Sequence, residues 1–336
     1  MMKAIQIGLF ALLAAAVVPG HAACPPAPMH PTPEMMQSAM RNAGDHGYLW
    51  RISKDGRTSY LYGTIHVGKP EWIFPGPTVM EALRATDTMA LEFDMMDPKM
   101  QESMKNAMTE LHGNPLPAAL AQRMRTEAKS LCVPYDTLAE FPPEMQIAVL
   151  SVTASRLEGL DATFAVDGVL TGIGHAAGKN MVSLETPASQ IKALVMKTPE
   201  ETAEFVAGSL DELEDSRARK VLRRLAAAWA NSDYAELDHY EDWCDCLRTE
   251  IERKIMKRLL DERNPAMAER VDALHQSGRQ VFVAVGSMHM FGPVGLPALM
   301  EKRGYKVERV EFKASQAHQD KPAEPEKPAE PAQPGK

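Results

Sequence analysis

Two distant segments of this chain share one pattern, in which an apolar run is followed by a glycine and, three residues later, by a histidine. The first run ends in Gly63-Thr-Ile-His66 and the second in Gly286-Ser-Met-His289. Valine and aromatic residues are typical of strands, and glycine lets the backbone turn where a strand ends. We therefore expect two strands that meet in one sheet, each projecting an imidazole from its end.

The repeat changes how the two histidines are interpreted. A single histidine on an apolar background is typical of a core or turn residue that bonds a backbone carbonyl. Here two of the chain's ten histidines stand in the same strand, glycine and spacer context. That coincidence favours a shared site built from His66 and His289.

Glu92 is the acidic residue that we place beside these histidines. Residues 88–94 predict a strand, and the alternation of side chains puts Glu92 and Asp94 on the same face. A carboxylate in the middle of a strand is costly unless it meets a cation or hydrogen-bond donors. A metal ion or an imidazolium would meet that need, and so would a lysine or arginine partner.

Two neutral imidazoles and one carboxylate form a three-ligand site that leaves positions open for water. Such a site suits Zn, Mn, Co or Fe in the divalent state. The ion would lower the pKa of bound water and polarise a carbonyl, which gives hydrolysis at neutral pH. Glu185, at the end of a predicted strand over 180–184, is either a further ligand or the base that takes the proton from water, and Asp94 is a second candidate for either role.

The pattern of the remaining chain predicts an α/β fold, with a central mixed β-sheet surrounded by helices and a large helical insertion. Asp55-Gly56 predicts a hairpin turn between two strands, because both residues tolerate positive φ. Thr186-Pro187 predicts the start of a helix. The other predicted strands cover residues 88–94, 180–184, 281–285 and 305–312. Two long helical regions are predicted over residues 98–160 and 199–278.

We divide the chain into four segments. Residues 1–23 carry a basic start, an apolar run and small residues before Cys24, and are typical of a secretory signal peptide. The predicted location is therefore periplasmic or secreted. Cys24 leaves a lipoprotein as the alternative, although His21 stands where such signals carry an aliphatic residue. Residues 24–44 predict an irregular lead-in, residues 45–312 the α/β domain, and residues 313–336 a disordered Pro/Glu/Lys-rich tail.

Charge and cysteine content narrow the classes of function. A net charge of −8, with no later segment apolar enough to cross a membrane, argues against a nucleic-acid partner and a transmembrane segment. Four cysteines in an exported chain permit disulfides, and Cys132 has either Cys24 or the Cys244/Cys246 pair as its partner. Cys244-Asp-Cys246 lacks the second half of a metal knuckle, so we expect disulfide pairing there.

The motifs together resemble the TraB/GumN family, which is related to the Tiki metalloproteases, over residues 45–312. The segments that carry the resemblance are Tyr62-Gly-Thr-Ile-His-Val-Gly68, Ala90-Leu-Glu-Phe-Asp94, Val166-Asp-Gly-Val-Leu170, Ala177-Gly-Lys-Asn-Met-Val-Ser-Leu-Glu-Thr186, Gln190, Glu262-Arg-Asn264 and Val285-Gly-Ser-Met-His-Met-Phe-Gly292. The resemblance implies a fold shared with erythromycin-esterase-like and heme-uptake ChaN-like proteins.

The resemblance also implies an activity and its residues. The two Gly-x-x-His motifs and the acidic residue of the family fall on His66, His289 and Glu92, and Arg263 stands at its Glu-Arg-Asn position. Tiki proteins imply a peptidase supported by manganese or cobalt. Arg263 then either caps a helix or pairs with an ion, or it binds a substrate carboxylate or stabilises an intermediate.

Our leading hypothesis is an exported metal-dependent hydrolase, a Tiki-like metallopeptidase that acts on a peptide or protein substrate. In it His66, His289 and Glu92 hold Mn, Co or Zn, and Glu92, Glu185 and Arg263 serve catalysis. The alternative is a protein that binds heme or a metal without turnover. A third hypothesis is metal-free hydrolysis with His66 as general base, which the erythromycin-esterase resemblance allows.

Overall fold

The Asp55-Gly56 turn closes the hairpin from which the sheet is built. The computed structural model of the protein describes residues 24–312. In it β1 (Tyr48–Lys54) and β2 (Arg57–Thr64) pair antiparallel. Asp55 has φ +51° and Gly56 has φ +74°, which is the conformation that a two-residue turn between twisted strands requires. The predicted hairpin is confirmed.

The other four strands complete a mixed six-stranded sheet. They are β3 (Thr88–Leu91), β4 (Asn180–Ser183), β5 (Val281–Gly286) and β6 (Lys306–Val310). The order across the sheet is β4-β3-β5-β2-β1-β6. Strands β4, β3, β5 and β2 run parallel to one another, whereas β1 pairs antiparallel with both β2 and β6. Hence the four parallel strands end at the same edge.

Fifteen α-helices are found in residues 24–312, and together with the sheet they confirm the α/β prediction. The first eight are α1 (Pro33–Arg41), α2 (Pro77–Arg84), α3 (Pro98–Thr109), α4 (Ala118–Ser130), α5 (Tyr135–Leu138), α6 (Pro143–Ser155), α7 (Val166–Ala176) and α8 (Pro187–Leu194). The others are α9 (Pro199–Glu214), α10 (Arg217–Ala230), α11 (Tyr234–Asp238), α12 (Tyr240–Trp243), α13 (Glu250–Met256), α14 (Asn264–Gln276) and α15 (Leu296–Lys302).

Two apolar cores hold these elements together. The larger contains the buried residues of the sheet and of the helices packed on it, with Trp229 of α10 among its largest side chains. The smaller joins α4, α6 and α9 through buried residues that include Met124, Leu150 and Leu210. Burial of a large apolar side chain stabilises the fold by about 1.5–3 kcal/mol. The helical insertion therefore has a core of its own beside the sheet.

The structure differs from the sequence prediction in two places. Residues 33–41, expected to be irregular, form α1, because Thr32 caps the helix through its hydroxyl and Pro33 suits the first helical position. The strand expected over 88–94 ends at Leu91. At Glu92 the neighbouring Gly286 N–H of β5 bonds the side chain, 2.9 Å from Oε1, instead of continuing the backbone ladder.

The predictions for the two ends of the chain are not tested by the structure, whereas the prediction about membrane-spanning segments is tested for residues 24–312. The predicted signal peptide, residues 1–23, and the predicted tail, residues 313–336, lie outside the described residues. Among residues 24–312, every helix is too short or too polar to cross a bilayer.

Two disulfides pair the four cysteines. Cys24 bonds Cys132 across 108 residues, and Cys244 bonds Cys246 across a single intervening residue. The structure thus selects Cys24 as the partner of Cys132. Two disulfides are compatible with an exported protein, since they persist in oxidising compartments.

The two disulfides are expected to contribute unequally to stability. In the chain-entropy treatment, a closed loop of about 110 residues stabilises by about 4.7 kcal/mol and one of about three residues by about 1.6 kcal/mol. Replacing Cys24 and Cys132 by serine should therefore lower the free energy of unfolding, measured by urea denaturation, by more than the matched replacement of Cys244 and Cys246. Equal losses in the two double variants would contradict this.

Candidate functional site

The candidate site lies at the edge where the four parallel strands end. His66 follows the end of β2 by two residues, Glu92 follows β3 directly, Glu185 follows β4 by two residues and His289 follows β5 by three. In open parallel sheets, the carboxyl ends of the strands are the usual place for a ligand. The structure thus brings together four residues that are up to 223 positions apart in the sequence.

His66 is held by a carboxylate from helix α7. Its Nδ1 lies 2.9 Å from Oδ2 of Asp167, in the first turn of α7. The other carboxylate oxygen of Asp167 accepts a hydrogen bond from the Thr64 hydroxyl at 2.5 Å. The His66 side chain is 65% exposed, so it stands at the entrance. This pairing directs Nε2 of His66 towards Glu92.

His289 is held in the same way, but it is buried. Its Nδ1 lies 2.6 Å from Oδ1 of Asn264, the first residue of α14. The amide nitrogen of Asn264 donates to the carbonyl of Val294 at 2.9 Å, which identifies the oxygen as the atom that faces the imidazole. Nδ1 of His289 therefore donates its proton to Asn264, and Nε2 keeps a free lone pair.

Glu92 lies between the two imidazoles. Its Oε1 is 3.8 Å from Nε2 of His66 and 4.0 Å from Nε2 of His289. The amide N–H of Gly286 donates to the same oxygen at 2.9 Å. The two imidazoles thus converge on one carboxylate oxygen.

Arg263 joins the two acidic residues of the site. Its guanidinium donates to Glu92 Oε2 at 2.9 Å and from Nε to Glu185 Oε1 at 2.8 Å, with a further contact from Nη2 to Glu185 Oε2. Gln190 donates to both carboxylates, at 2.5 and 3.1 Å. Glu185 is buried and paired. Arg263 itself follows a π-helical turn, Lys257–Asp261, and bonds the Leu259 carbonyl; such turns recur at functional sites.

The surroundings set the charge of each group. Asp167 raises the pKa of His66 to about 9. Burial lowers the pKa of His289 to about 4, so this imidazole is neutral. Burial acts to raise the pKa of Glu92, but the two imidazoles, the Arg263 guanidinium and the Gly286 N–H outweigh it and lower the pKa to about 2. Glu92 is therefore ionised at every physiological pH.

Asp94 does not join this cluster. Its carboxylate lies 2.7 Å from Nε2 of His175 and accepts the Met96 N–H at 2.9 Å. It is buried in that arrangement. As they stand in residues 24–312, no three His, Cys, Asp or Glu side chains are arranged so that they could hold a metal ion.

Three contributors to the site were not assigned a role from the sequence. Asp167 and Asn264 orient the imidazoles, and Gln190 links the two carboxylates. All three lie at or near a helix start, a position that the sequence does indicate through Pro187 and Pro265. The general rule that a functional histidine has an oxygen partner on its second nitrogen predicts such residues, without saying which ones they are.

The comparisons with known proteins include a family match. The model of the TraB/PrgY/gumN family matches residues 48–309, from the first residue of β1 into the last strand, β6. That range contains all the residues of the candidate site. Neither a curated protein nor a solved structure matches the chain.

The Asp167 carboxylate is expected to control the charge of His66. In chelator-treated protein, NMR titration of His66 should give a pKa raised to about 9. The Asp167→Asn variant should return it towards the ordinary value of about 6.5, because the partner no longer favours the imidazolium. The exposed Asp136→Asn substitution is the matched control and should leave the titration of His66 as in the wild type. An unchanged His66 titration in Asp167→Asn would contradict the pairing.

Proposed function

The chain belongs to the TraB/PrgY/gumN family, and from this we propose that it is an exported metal-dependent hydrolase that cleaves peptide bonds. The observation that carries the proposal is the convergence of two imidazole nitrogens on one oxygen of Glu92. The resemblance to Tiki metalloproteases supplies the reaction class. The two disulfides support the exported location.

The donor atoms have the chemistry of a divalent metal site. Nδ1 of each imidazole is engaged by an oxygen, of Asp167 for His66 and of Asn264 for His289. Metal-binding histidines commonly use their second nitrogen in this way, because the partner fixes the ring and its tautomer. The Nε2 atoms are then left for the ion. Glu92 adds a carboxylate oxygen, which completes a set suited to Zn, Mn or Co.

The separations are compatible with one ion after a small closure. Two atoms bonded to the same ion at about 2.0–2.2 Å lie no more than about 4.4 Å apart. The imidazole nitrogens are 3.8 and 4.0 Å from Glu92 Oε1, slightly wide of the ~3.4 Å of a tetrahedral site. The exposed His66 ring can move, whereas the His289 separation closes only by a shift of Glu92. A closure of about half an ångström in each pair brings these atoms to tetrahedral spacing.

The charge of the cluster favours a cation. Three carboxylates, Glu92, Glu185 and Asp167, face one guanidinium, that of Arg263. At neutral pH His66 is protonated, so three negative charges meet two positive charges and the cluster carries −1; it carries −2 when His66 gives up its proton, as binding an ion requires. Excess negative charge in a half-buried site is costly unless a cation balances it.

The residues of the chain divide the work as follows. A bound ion would lower the pKa of water and polarise the peptide carbonyl. Arg263 keeps Glu92 ionised and oriented, and Glu185 positions Arg263 by a two-atom contact. Of the five N–H groups of Arg263, four are used within residues 24–312, and the fifth, on Nη1, remains for the substrate.

The His66–Asp167 pair favours a second candidate, metal-free hydrolysis with His66 as general base. A carboxylate at 2.9 Å orients the imidazole, and because it also raises the pKa of His66 to about 9, this mechanism predicts activity that increases towards alkaline pH. The exposed position of His66 allows it to reach a water molecule beside the substrate. The two candidates share His66 and differ in their need for a metal.

Metal binding tests the ligand set directly. By calorimetric titration with Mn, Co or Zn, we expect His66→Ala and His289→Ala to weaken binding by at least about 100-fold, and Asp167→Asn by about 10- to 100-fold. His239→Ala, a substitution of an exposed histidine away from the site, is the control. Thermal unfolding checks that each variant is folded. Stoichiometric binding unchanged in both ligand variants would exclude the metal site.

Peptide cleavage distinguishes the two mechanisms. With a peptide library and added metal, the metal-dependent proposal predicts activity that a chelator abolishes and that metal restores, and His66→Ala should lower kcat/KM by roughly 100-fold or more. Chelator-resistant cleavage that disappears in His66→Ala would assign the metal-free mechanism. Tight metal or heme binding without cleavage of any library peptide would assign the non-catalytic alternative.

A further inference from the structure

The Cys244–Cys246 disulfide is expected to contribute little to the stability of the fold. One residue, Asp245, separates the two cysteines, so the closed loop is minimal. A cross-link stabilises a protein mainly by limiting the unfolded chain, and this stabilisation becomes smaller as the closed loop becomes shorter. The Cys24–Cys132 bond spans 108 residues and serves that purpose much better. Another role is therefore to be sought for the short one.

The short disulfide lies at a small cleft in the helical part of the molecule. The cleft has a volume of about 70 Å³ and is lined by both cysteines, by Glu212 near the end of α9 and by Arg217 and Val221 of α10. Cys244 is buried, whereas Cys246 is half-buried. An incoming thiol therefore reaches the Cys246 sulfur first and leaves Cys244 as the departing group.

Both sulfurs are met by hydrogen-bond donors. The Tyr240 hydroxyl lies 3.3 Å from Sγ of Cys246, and the Cys246 N–H donates to Sγ of Cys244 at 3.2 Å. Burial raises the pKa of Tyr240 to about 12, so its hydroxyl keeps the proton that it donates. Donors at a sulfur stabilise the thiolate that forms when the disulfide is broken.

Charged groups of both signs surround the short disulfide. Arg217 Nη1 and Arg248 Nε lie 3.5 and 3.2 Å from the carboxylate oxygens of Asp245, between the two cysteines. Guanidinium groups near a cysteine lower the pKa of its thiol, and the carboxylates that they pair with oppose this effect. Burial, followed by Glu252, raises the pKa of Glu212 to about 7. Glu212 is therefore a carboxyl group that holds or releases a proton at neutral pH in the same cleft.

We propose that Cys244–Cys246 is a thiol–disulfide exchange site that oxidises a dithiol of a peptide or protein substrate. One substrate thiol gives its proton to Glu212 and attacks Sγ of Cys246 as a thiolate; the Cys244–Cys246 bond breaks, and its electron pair leaves on Sγ of Cys244, which takes that proton from Glu212. The second substrate thiol then attacks the first substrate sulfur, and its proton passes to Sγ of Cys246, which leaves as a thiol. The substrate loses two electrons and two protons, and the disulfide of the chain becomes two thiols.

The surroundings are tested by comparing the folded protein with a peptide that has the same disulfide. The full chain and a synthetic peptide of residues 240–248, both oxidised, are mixed with reduced glutathione, and thiols are trapped over time by alkylation and counted by mass spectrometry. We expect Cys244–Cys246 in the protein to react at least about tenfold faster than in the peptide.

Single substitutions identify the groups responsible. Tyr240→Phe and Glu212→Gln should each slow the reaction of the protein several-fold, whereas Glu204→Gln, a matched change at an exposed position of α9, should not change it. A reduced Cys-x-x-Cys peptide should be oxidised in a 1:1 ratio to the Cys244–Cys246 bond consumed, and not by the Cys244→Ser, Cys246→Ser double variant. A rate no faster than that of the oxidised peptide, unaffected by either substitution, would overturn the proposal and leave a structural staple.

Discussion

The parallel pairing of β2 with β5 is the constraint on which the candidate site depends. Its register places Gly63 beside Val285 and Thr64 beside Gly286, so two strands from opposite ends of the chain finish at the same level. A shift of one residue would reverse the faces of one strand relative to the other. The Gly286 N–H is then free of the ladder and bonds Glu92. The pairing of β2 with β5 therefore determines the positions of the residues in the candidate site.

The charged residues of the site stabilise one another only as a group. Glu92, Glu185 and Arg263 are nearly buried, with exposed side-chain fractions of 14%, 7% and 13%. Removing one member of such a group leaves the others buried without a partner, which is strongly destabilising. The His66 side chain differs from these three because 65% of it is exposed to solvent. The acidic residues are fixed by the fold, while the first imidazole can respond to what enters.

Local sequence patterns predicted the positions of the helices and strands, whereas the end of β3 and the partners of the two histidines depend on residues that are distant in the sequence. Asp55-Gly56, the strand before Gly286 and the Thr186-Pro187 helix start were predicted correctly, because each depends on a few neighbouring residues. The end of β3 was predicted too far along, because the group that ends it, Gly286, is remote in sequence. The partners Asp167 and Asn264 were not identified for the same reason. No local signal states which carboxylate or amide will face an imidazole.

The position of β5 between β3 and β2 also imposes an order of assembly. The strands that precede it in the chain cannot close into one sheet, because the central place belongs to residues 281–286, which are made late. A growing chain therefore lacks both the middle of its sheet and the second histidine. Any chemistry at this edge begins only when almost the whole described chain is present. A chain that ends before β5 therefore lacks a complete site.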